Sequence, residues 1–279
     1  MKFLLAAVNA KYIHSNLAVY SLKAYAEKYG SGREAGCAIG IGEYTINQSP
    51  DEILRELYMA RPDVVGFSCY IWNIDCVRQL TALIGQVMPE VPVWLGGPEV
   101  SWEAEEQLAS MPEIAGIMIG EGEETFLELT EHYLGTGKEL SRIRGLVYRE
   151  GGRILRTGSR PALELSRLPF PYEDLAAFDR RLLYYESSRG CPFSCSYCLS
   201  SVDKKLRFRD LELVYRELGL FLDRGVRQVK FIDRTFNCKK SHAMAIWNYL
   251  ASHDNGITNI HFEISADLLD DEMTAVLSR

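Results

Sequence analysis

Three cysteines, Cys191, Cys195 and Cys198, lie close together in the second half of the sequence. Their CxxxCxxC spacing supplies three soft thiolate ligands, and no fourth cysteine follows until Cys238. Thiolates favour iron–sulfur clusters and zinc, and a centre with three protein ligands keeps one coordination position open. Because a reacting molecule can bind at an open position, the spacing predicts a chemically active metal centre.

The same spacing has simpler interpretations. In a helix, positions i, i+4 and i+7 share one face, so the cysteines would be ordinary buried residues, but Gly190 and Pro192 disfavour a helix. A structural zinc site needs four ligands, and Cys238 lies 40 positions beyond Cys198. A disulfide framework is disfavoured because the chain has seven cysteines, an odd number, and is too long to need one.

The run from Arg189 to Cys198, with Tyr197 just before the last cysteine, resembles the signature loop of radical S-adenosylmethionine enzymes. The resemblance implies that Cys191, Cys195 and Cys198 ligate a [4Fe–4S] cluster whose remaining iron binds S-adenosylmethionine, and that Tyr197 borders the adenine. It also implies an electron donor such as flavodoxin or ferredoxin, since the reduced cluster cleaves S-adenosylmethionine.

Composition sets the frame for this chemistry. The chain has 279 residues, of which 47% are hydrophobic and 25% charged, which is ordinary for a globular protein with two domains. Its net charge of -7 offers no broad attraction for nucleic acid, so a nucleic-acid partner is unsupported. No apolar run approaches the roughly 20 residues of a membrane span, and the short apolar start does not form a signal peptide. We therefore expect a cytoplasmic protein, where thiols stay reduced.

The first part of the chain, residues 1–140, alternates short apolar runs with amphipathic stretches. This alternation predicts a flavodoxin-like, doubly wound parallel sheet, in which ligands bind at the carboxyl ends of the strands. The predicted strands are residues 3–8, 38–45, 64–69, 91–95 and 114–119, and the first helices are residues 17–29, a helix opening at Ser49 and Pro50, and a helix from Ile74 to Val87.

Glycines mark the loops that follow these strands, and glycine lets the backbone approach a ligand closely. Each loop alone is equally compatible with an ordinary turn. Together, and ahead of a radical-enzyme loop, they resemble the cobalamin-binding domain of cobalamin-dependent radical S-adenosylmethionine proteins. The resemblance assigns to cobalamin the residues Ser68, Gly96, Gly97, Gly120 and Gly122.

The loop after the first strand departs from one cobalamin pattern. Cobalamin domains of the methionine-synthase type carry DxHxxG there, whereas residues 9–16 contain His14 without that frame. We therefore expect cobalamin to bind without a histidine on its lower face. The acidic residues Glu121, Glu123 and Glu124 are assigned to a helix start rather than to catalysis.

A hairpin at residues 145–155 and a proline-containing connector lead into the second domain, so residues 141–180 are expected to be a linker. Residues 181–279 then give three strand–helix units, with strands at 183–188, 226–233 and 259–266 and helices at 211–224, 241–252 and 270–277. They resemble the first half of the partial (β/α)6 barrel of radical S-adenosylmethionine enzymes. We expect the chain to be a fragment, and to be inactive if the later strands are absent.

Polar residues end the predicted strands of the second domain. Asp233 is expected to accept the ammonium of S-adenosylmethionine, and Glu263 and Ser265 to contact its ribose or a substrate. Ordinary polar strand ends remain an alternative for Glu263 and Ser265. The basic segment 204–209 is interpreted as a solvated lid over the cysteine loop, and Cys238 as a bystander.

These features favour a cobalamin-using radical S-adenosylmethionine enzyme acting on an unidentified, small-molecule substrate, with methyl transfer to an unactivated carbon as the expected reaction. A methylthiotransferase-like enzyme is an alternative, although its second cluster would have to use the scattered Cys37, Cys69 and Cys76. A cobalamin-binding regulatory module with a remnant barrel is the other.

Overall fold

The computed structural model of the protein describes residues 1–32 and 35–278. The chain forms two compact units, the first spanning Met1–Ala162 and the second beginning at Leu163. Within the described residues, no helix is both long and apolar enough to cross a membrane.

The first unit is built on one sheet of seven strands in the order β2-β1-β3-β4-β5-β6-β7. The five parallel strands give the order 2-1-3-4-5, which is that of flavodoxin, so the fold expected from the sequence is confirmed. These strands are β1 (Lys2–Asn9), β2 (Ala38–Thr45), β3 (Val64–Ser68), β4 (Val93–Gly96) and β5 (Gly116–Met118).

Helices cover both faces of this sheet, and two buried clusters form the core. β1 is buried at seven of its eight positions because its side chains pack into both clusters. α2 begins as predicted, with Ser49 and Glu52 forming a reciprocal capping box before Pro50. The helices are α1 (Leu17–Tyr29), α2 (Pro50–Ala60), α3 (Ile74–Val87), α4 (Pro98–Ser101), α5 (Ala104–Ser110) and α6 (Glu123–Tyr133).

The hairpin expected in a linker is part of the first sheet. β6 (Leu146–Glu150) pairs antiparallel with β5, and β7 (Arg153–Arg156) pairs with β6. β5 is only three residues long. Without β6, its outer edge would be unpaired, and an unpaired strand edge is prone to pair with other chains. The first unit therefore extends to Ala162, beyond the boundary at residue 140 that the sequence predicts.

The second unit contains the three predicted strand–helix units. Its parallel sheet has the order β12-β11-β8, formed by β8 (Leu183–Tyr185), β11 (Gln228–Phe231) and β12 (Asn259–His261). The helices are α7 (Leu211–Asp223), α8 (Lys240–Ser252) and α9 (Asp271–Leu277).

The strands of the second unit are shorter than predicted. The segment 183–188 is divided, because β8 ends at Tyr185 and β9 (Ser188–Arg189) pairs antiparallel with β10 (Arg207–Phe208). The segments 226–233 and 259–266 likewise lose their polar ends to turns. After β11, the carboxylate of Asp233 accepts from Ser187. After β12, the backbone N–H of Ser265 donates to Asn237, so neither polar end continues its strand.

Candidate cofactor sites

A cavity of about 120 Å³ lies at the carboxyl edge of the first sheet. Its wall combines the ends of β3, β4 and β5 with one side of α1. All five residues that the sequence assigns to cobalamin line it, namely Ser68, Gly96, Gly97, Gly120 and Gly122. The structure therefore brings these loops together at the edge where such sheets bind ligands.

Two of the glycines are required for different reasons. Gly97 has a φ of 113°, and a Cβ there would lie 2.4 Å from the carbonyl oxygen of Cys69. Gly120 has a φ of 77°, but no atom lies within 4 Å of where its Cβ would be. The first glycine thus lets two loops touch, and the second leaves open room beside the cavity. Room of this kind suits a bulky cofactor.

The buried amide of Asn73 holds the cavity loops in place. Its Nδ2 donates to the carbonyl oxygens of Val8 and Ser68 at 3.0 and 2.9 Å, and its Oδ1 accepts from the backbone of Tyr70 at 2.8 Å. The ends of β1 and β3 are thereby joined. Sequence reasoning missed Asn73, although its place just before the first residue of α3 is a typical capping position.

A second network fixes the loop after β1. Glu43 accepts from the side chain of Asn9 at 3.0 Å and from the backbone of Asn16 at 2.9 Å, while Asn9 also donates to the carbonyl oxygen of His14 at 3.1 Å. Asn16 in turn lies 3.3 Å from the hydroxyl of Ser68. The loop that stands in place of DxHxxG is thus closed on itself by amides and one carboxylate. Nothing in the sequence pattern had indicated Glu43.

Two acidic residues at the start of α6 have structural contacts. Glu123 accepts from Ser21 at 3.4 Å, and Glu124 accepts from Tyr25 at 3.2 Å. Both glutamates lie in the first turn of α6, where negative charge favours the helix. The sequence interpretation as a helix start agrees with this placement.

The cysteine loop of the second unit is held at its beginning. Cys191 is buried, and its backbone N–H donates to the carbonyl oxygen of Asp203 at 2.9 Å. Gly190 has a φ of 98°, and a Cβ there would lie 2.6 Å from the carbonyl oxygen of Lys205. Lys204 donates to the carbonyl oxygen of Phe193 and to the hydroxyl of Ser194. The basic segment is therefore a support against which the loop packs.

The rest of the loop faces solvent. Cys195 is exposed, Cys198 is partly exposed, and the Tyr197 side chain is 91% exposed. Hydrogen bonds from Ser200 hold the pKa of the Cys198 thiol below its ordinary value. Within residues 1–32 and 35–278, no three His, Cys, Asp or Glu side chains converge closely enough to enclose a metal ion. The three thiols suit an iron–sulfur cluster because they are soft ligands, form no disulfide and are accessible in part. In this structure they do not converge on one point.

The contacts of Asp233, in the turn after β11, differ from the expected contact with S-adenosylmethionine. This carboxylate is 1% exposed, and it accepts from the backbone and hydroxyl of Ser187 and from the hydroxyl of Ser188. Burial raises its pKa to about 6. An ammonium group would have to displace these serines to reach it, so the contacts favour a supporting role.

The other expected contacts of S-adenosylmethionine are surface groups with local partners. Glu263 forms an ion pair with Lys230 at 2.9 Å, and the hydroxyl of Ser265 donates to Asp267 at 2.5 Å. Nearby Asn237, which sequence reasoning missed, bonds both backbone groups of Ser265. Glu263 and Ser265 thus lie in the same segment after β12, and their contact with a cofactor stays a prediction.

The remaining cysteines do not form a second cluster site. Cys69 is fully buried, and burial raises its pKa to about 12. Cys76 packs against one core cluster and Cys37 against the other, so the two lie on opposite faces of the sheet. A second cluster on these cysteines, as the methylthiotransferase alternative requires, is therefore not favoured.

Comparison with protein families separates the same two units. Residues 4–130 match the B12 binding domain, and residues 185–279 match the radical SAM superfamily. The chain belongs to the radical S-adenosylmethionine proteins that carry a cobalamin-binding domain. The flavodoxin-like unit with its glycine-lined cavity is the cobalamin-binding domain, and the cysteine loop opens the radical domain.

Relatives of this family protein include an uncharacterized methyltransferase of Pyrococcus horikoshii, 32% identical over 66% of this chain and 42% of its own length. The 2-(S-pantetheinyl)-carbapenam-3-carboxylate methyltransferase of Streptantibioticus cattleyicolor is 31% identical over 63% of this chain and 28% of its own length. The chain thus spans less than half of either relative.

A solved structure of the radical S-adenosylmethionine methyltransferase TsrM from Kitasatospora setae, with cobalamin and a [4Fe-4S] cluster bound, has a TM-score of 0.76. Its identity is 17%, and the match covers 99% of this chain and 56% of that chain. At this identity the likeness shows a shared fold for the two-domain family protein.

Proposed function

We propose that this protein is part of a cobalamin-dependent radical S-adenosylmethionine methyltransferase that transfers a methyl group to an unactivated carbon of a small molecule. One observation carries the proposal. A single chain joins a glycine-lined cavity of the B12-binding type to a radical-domain cysteine loop. Two relatives that align with about two thirds of this chain are named as methyltransferases.

The residues of the chain divide the task. Gly97 lets two loops of the cavity touch, and Gly120 leaves open space beside it for cobalamin. Ser68 lies between Asn16 and the cavity, and buried amides fix the loops at this sheet edge. Cys191, Cys195 and Cys198 offer three thiolates for a [4Fe–4S] cluster. Once bound, the cluster supplies the electron for reductive cleavage of S-adenosylmethionine, and cobalamin supplies methyl-transfer chemistry. A flavodoxin or ferredoxin is the proposed electron source.

Separate loading of the two cofactors tests the proposal. Anaerobic reconstitution of the whole chain with iron and sulfide is expected to give roughly four of each per chain. Titration with hydroxocobalamin is expected to give saturable binding near one per chain. Cleavage of S-adenosylmethionine to 5′-deoxyadenosine and methionine, measured by mass spectrometry with dithionite as reductant, is expected only from a chain that also carries the later strands of the barrel.

Single cysteine variants provide the control. Cys195→Ala is expected to lose the iron while it still binds cobalamin. Cys238→Ala, which changes a cysteine outside the loop, is expected to keep both cofactors. Full iron in Cys195→Ala would overturn the ligand assignment. Cobalamin binding without any cluster would contradict an enzyme and favour the binding-module alternative.

A further inference from the structure

The turn after β11, residues 233–237, carries three buried polar side chains that the proposed ligand set does not use. Asp233, Thr235 and Asn237 are exposed by 1%, 6% and 2%. Buried polar groups are unfavourable unless they are hydrogen-bonded, so their partners show what the turn does. Each of the three contacts a different neighbouring segment.

Asp233 fixes the chain just ahead of the cysteine loop. Its carboxylate accepts from the backbone N–H of Ser187 at 2.9 Å and from the hydroxyl of Ser187 at 2.7 Å, and it also accepts from Ser188. The Ser187 hydroxyl also lies 3.1 Å from Nε2 of the buried His242. Ser188 begins β9, and Gly190 and Cys191 follow directly. The start of the loop is thereby tied to the β11 turn.

Asn237 fixes the same turn on its other side. Its Nδ2 donates to the carbonyl oxygen of Ser265 at 2.8 Å, and its Oδ1 accepts from the backbone N–H of Ser265 at 2.9 Å. A side-chain amide that satisfies both backbone groups of one residue imitates a strand pairing. The turn is therefore bonded at both ends, and the residue between them is held with little freedom.

That residue is Thr235, and its side chain reaches a proposed cluster ligand. Its Oγ1 lies 3.6 Å from Sγ of Cys191, which is within hydrogen-bond distance for sulfur. Both side chains are buried, whereas Cys195 is exposed. A hydroxyl beside a thiolate donates a hydrogen bond to the sulfur, because the thiolate is the stronger acceptor.

We propose that Thr235 is a positioning residue that donates a hydrogen bond to the Cys191 thiolate and raises the reduction potential of the cluster. The proposal rests on the proposed function, since it needs the cluster. A hydrogen bond to a ligand sulfur stabilises negative charge, and the reduced cluster carries one more negative charge than the oxidised cluster. Burial strengthens this preference because little water competes. Asp233 and Asn237 hold Thr235 in place.

The midpoint potential of the reconstituted cluster tests this inference. Thr235→Val keeps the shape of the side chain but removes the donor, and Thr235→Ala removes the donor with a smaller side chain. We expect the potential of both variants to be more negative than that of the unchanged chain, measured by anaerobic redox titration followed by electron paramagnetic resonance. Thr235→Ser keeps a hydroxyl and is expected to restore the potential.

The iron content of each variant separates a tuning role from a folding defect. Thr258→Val, a substitution elsewhere in the second unit, is the matched control and is expected to leave the potential unchanged. Loss of iron from the valine and alanine variants with retention by the serine variant also supports the donor role. Unchanged potentials in loaded Thr235→Val and Thr235→Ala, or loss of iron from Thr235→Ser, would overturn it. If the unchanged chain binds no cluster, both the proposed function and the role of Thr235 fail. If the cluster binds but its potential does not change in the Thr235 variants, only the role of Thr235 is refuted.

Discussion

The two candidate cofactor sites are built in opposite ways. The cavity of the first unit is lined by glycines and by side chains that are mostly apolar, such as Leu5, Val19 and Met118, and Asn73 joins two of the chain segments around it. The cysteine loop of the second unit presents three thiol side chains as metal ligands, and most of the loop faces solvent. The folded chain must form the cavity before cobalamin can bind there. The cysteine loop needs only to be held in place, because its thiolates can close around a cluster as it binds.

The supporting contacts follow this difference. Around the cavity, amide and carboxylate groups of Asn9, Asn16 and Glu43 are bonded to one another across separate strands. Around the cysteine loop, support comes from Asp203, Lys204 and the β11 turn, and it acts at the start of the loop. Changes at the cavity should therefore affect folding first, and changes at the loop should affect loading first.

The largest expected effect is at the cavity. Gly97→Ala combines a backbone φ of 113° with a Cβ only 2.4 Å from a carbonyl oxygen. We expect it to lower the free energy of unfolding by about 3 kcal/mol and to abolish cobalamin binding. Gly120→Ala has the backbone strain without the collision and is expected to lower the free energy of unfolding by about 1 kcal/mol. Urea unfolding measures the free energy of unfolding of both variants. Equal losses of stability would mean that the close approach of Gly97 to Cys69 does not contribute.

A smaller effect is expected at the loop. Lys204→Met removes the contacts with Phe193 and Ser194, and we expect faster proteolysis near residues 193–198 and lower iron retention. The free energy of unfolding should change by less than about 0.5 kcal/mol because the side chain is exposed. Lys205→Met is the matched control and should leave proteolysis unchanged. A large loss of stability in Lys204→Met would contradict the proposed contrast between the two sites.

The smallest effect concerns pH and the buried pair behind the loop. Burial raises the pKa of Asp233 from 3.8 to about 6, so between these values the folded chain holds a proton that the unfolded chain releases, and this group lowers stability as the pH rises. Burial lowers the pKa of His242 from 6.5 to about 4, so the unfolded chain holds the extra proton and stability rises with pH. The two contributions oppose each other over most of the same range.

Removing the histidine should isolate its contribution. In His242→Gln, the melting temperature measured by circular dichroism is expected to fall relative to the unchanged chain as the pH rises from about 4 to about 6. Comparison with the unchanged chain cancels the titration of surface groups. A difference that stays constant across this range would show that the His242 pKa is not lowered by burial.

The fold was predictable from periodicity, and the loops at the strand ends were predictable from glycine. β2 and α1 begin and end where the sequence places them, because apolar spacing and the cap at Asn16 define them locally. Ser68 and the four glycines line one cavity because parallel strands end at the same edge. These are properties that neighbouring residues in the chain determine.

The supporting residues were not predictable. Asn73, Glu43 and Thr235 bond to partners up to 65 positions away, and a single sequence does not show which distant group a polar side chain will meet. Asp233 illustrates the same limit, since it lies in the turn after β11 and its carboxylate bonds to the serines before the loop, which the sequence did not indicate. The hairpin at β6 was placed outside the first unit because antiparallel pairing to β5 leaves no local signal.

The pairing of that hairpin determines where the two halves of the chain can be separated. Arg160 forms ion pairs with Glu124 and Glu128, so the stretch after β7 is tied back to α6. A protein cut at residue 140 would lose β6 and β7 and present the bare edge of β5, a template for pairing with other chains. A cobalamin-binding module taken from this chain for fusion to another enzyme should therefore end at Ala162, where the hairpin shields the sheet from aggregation.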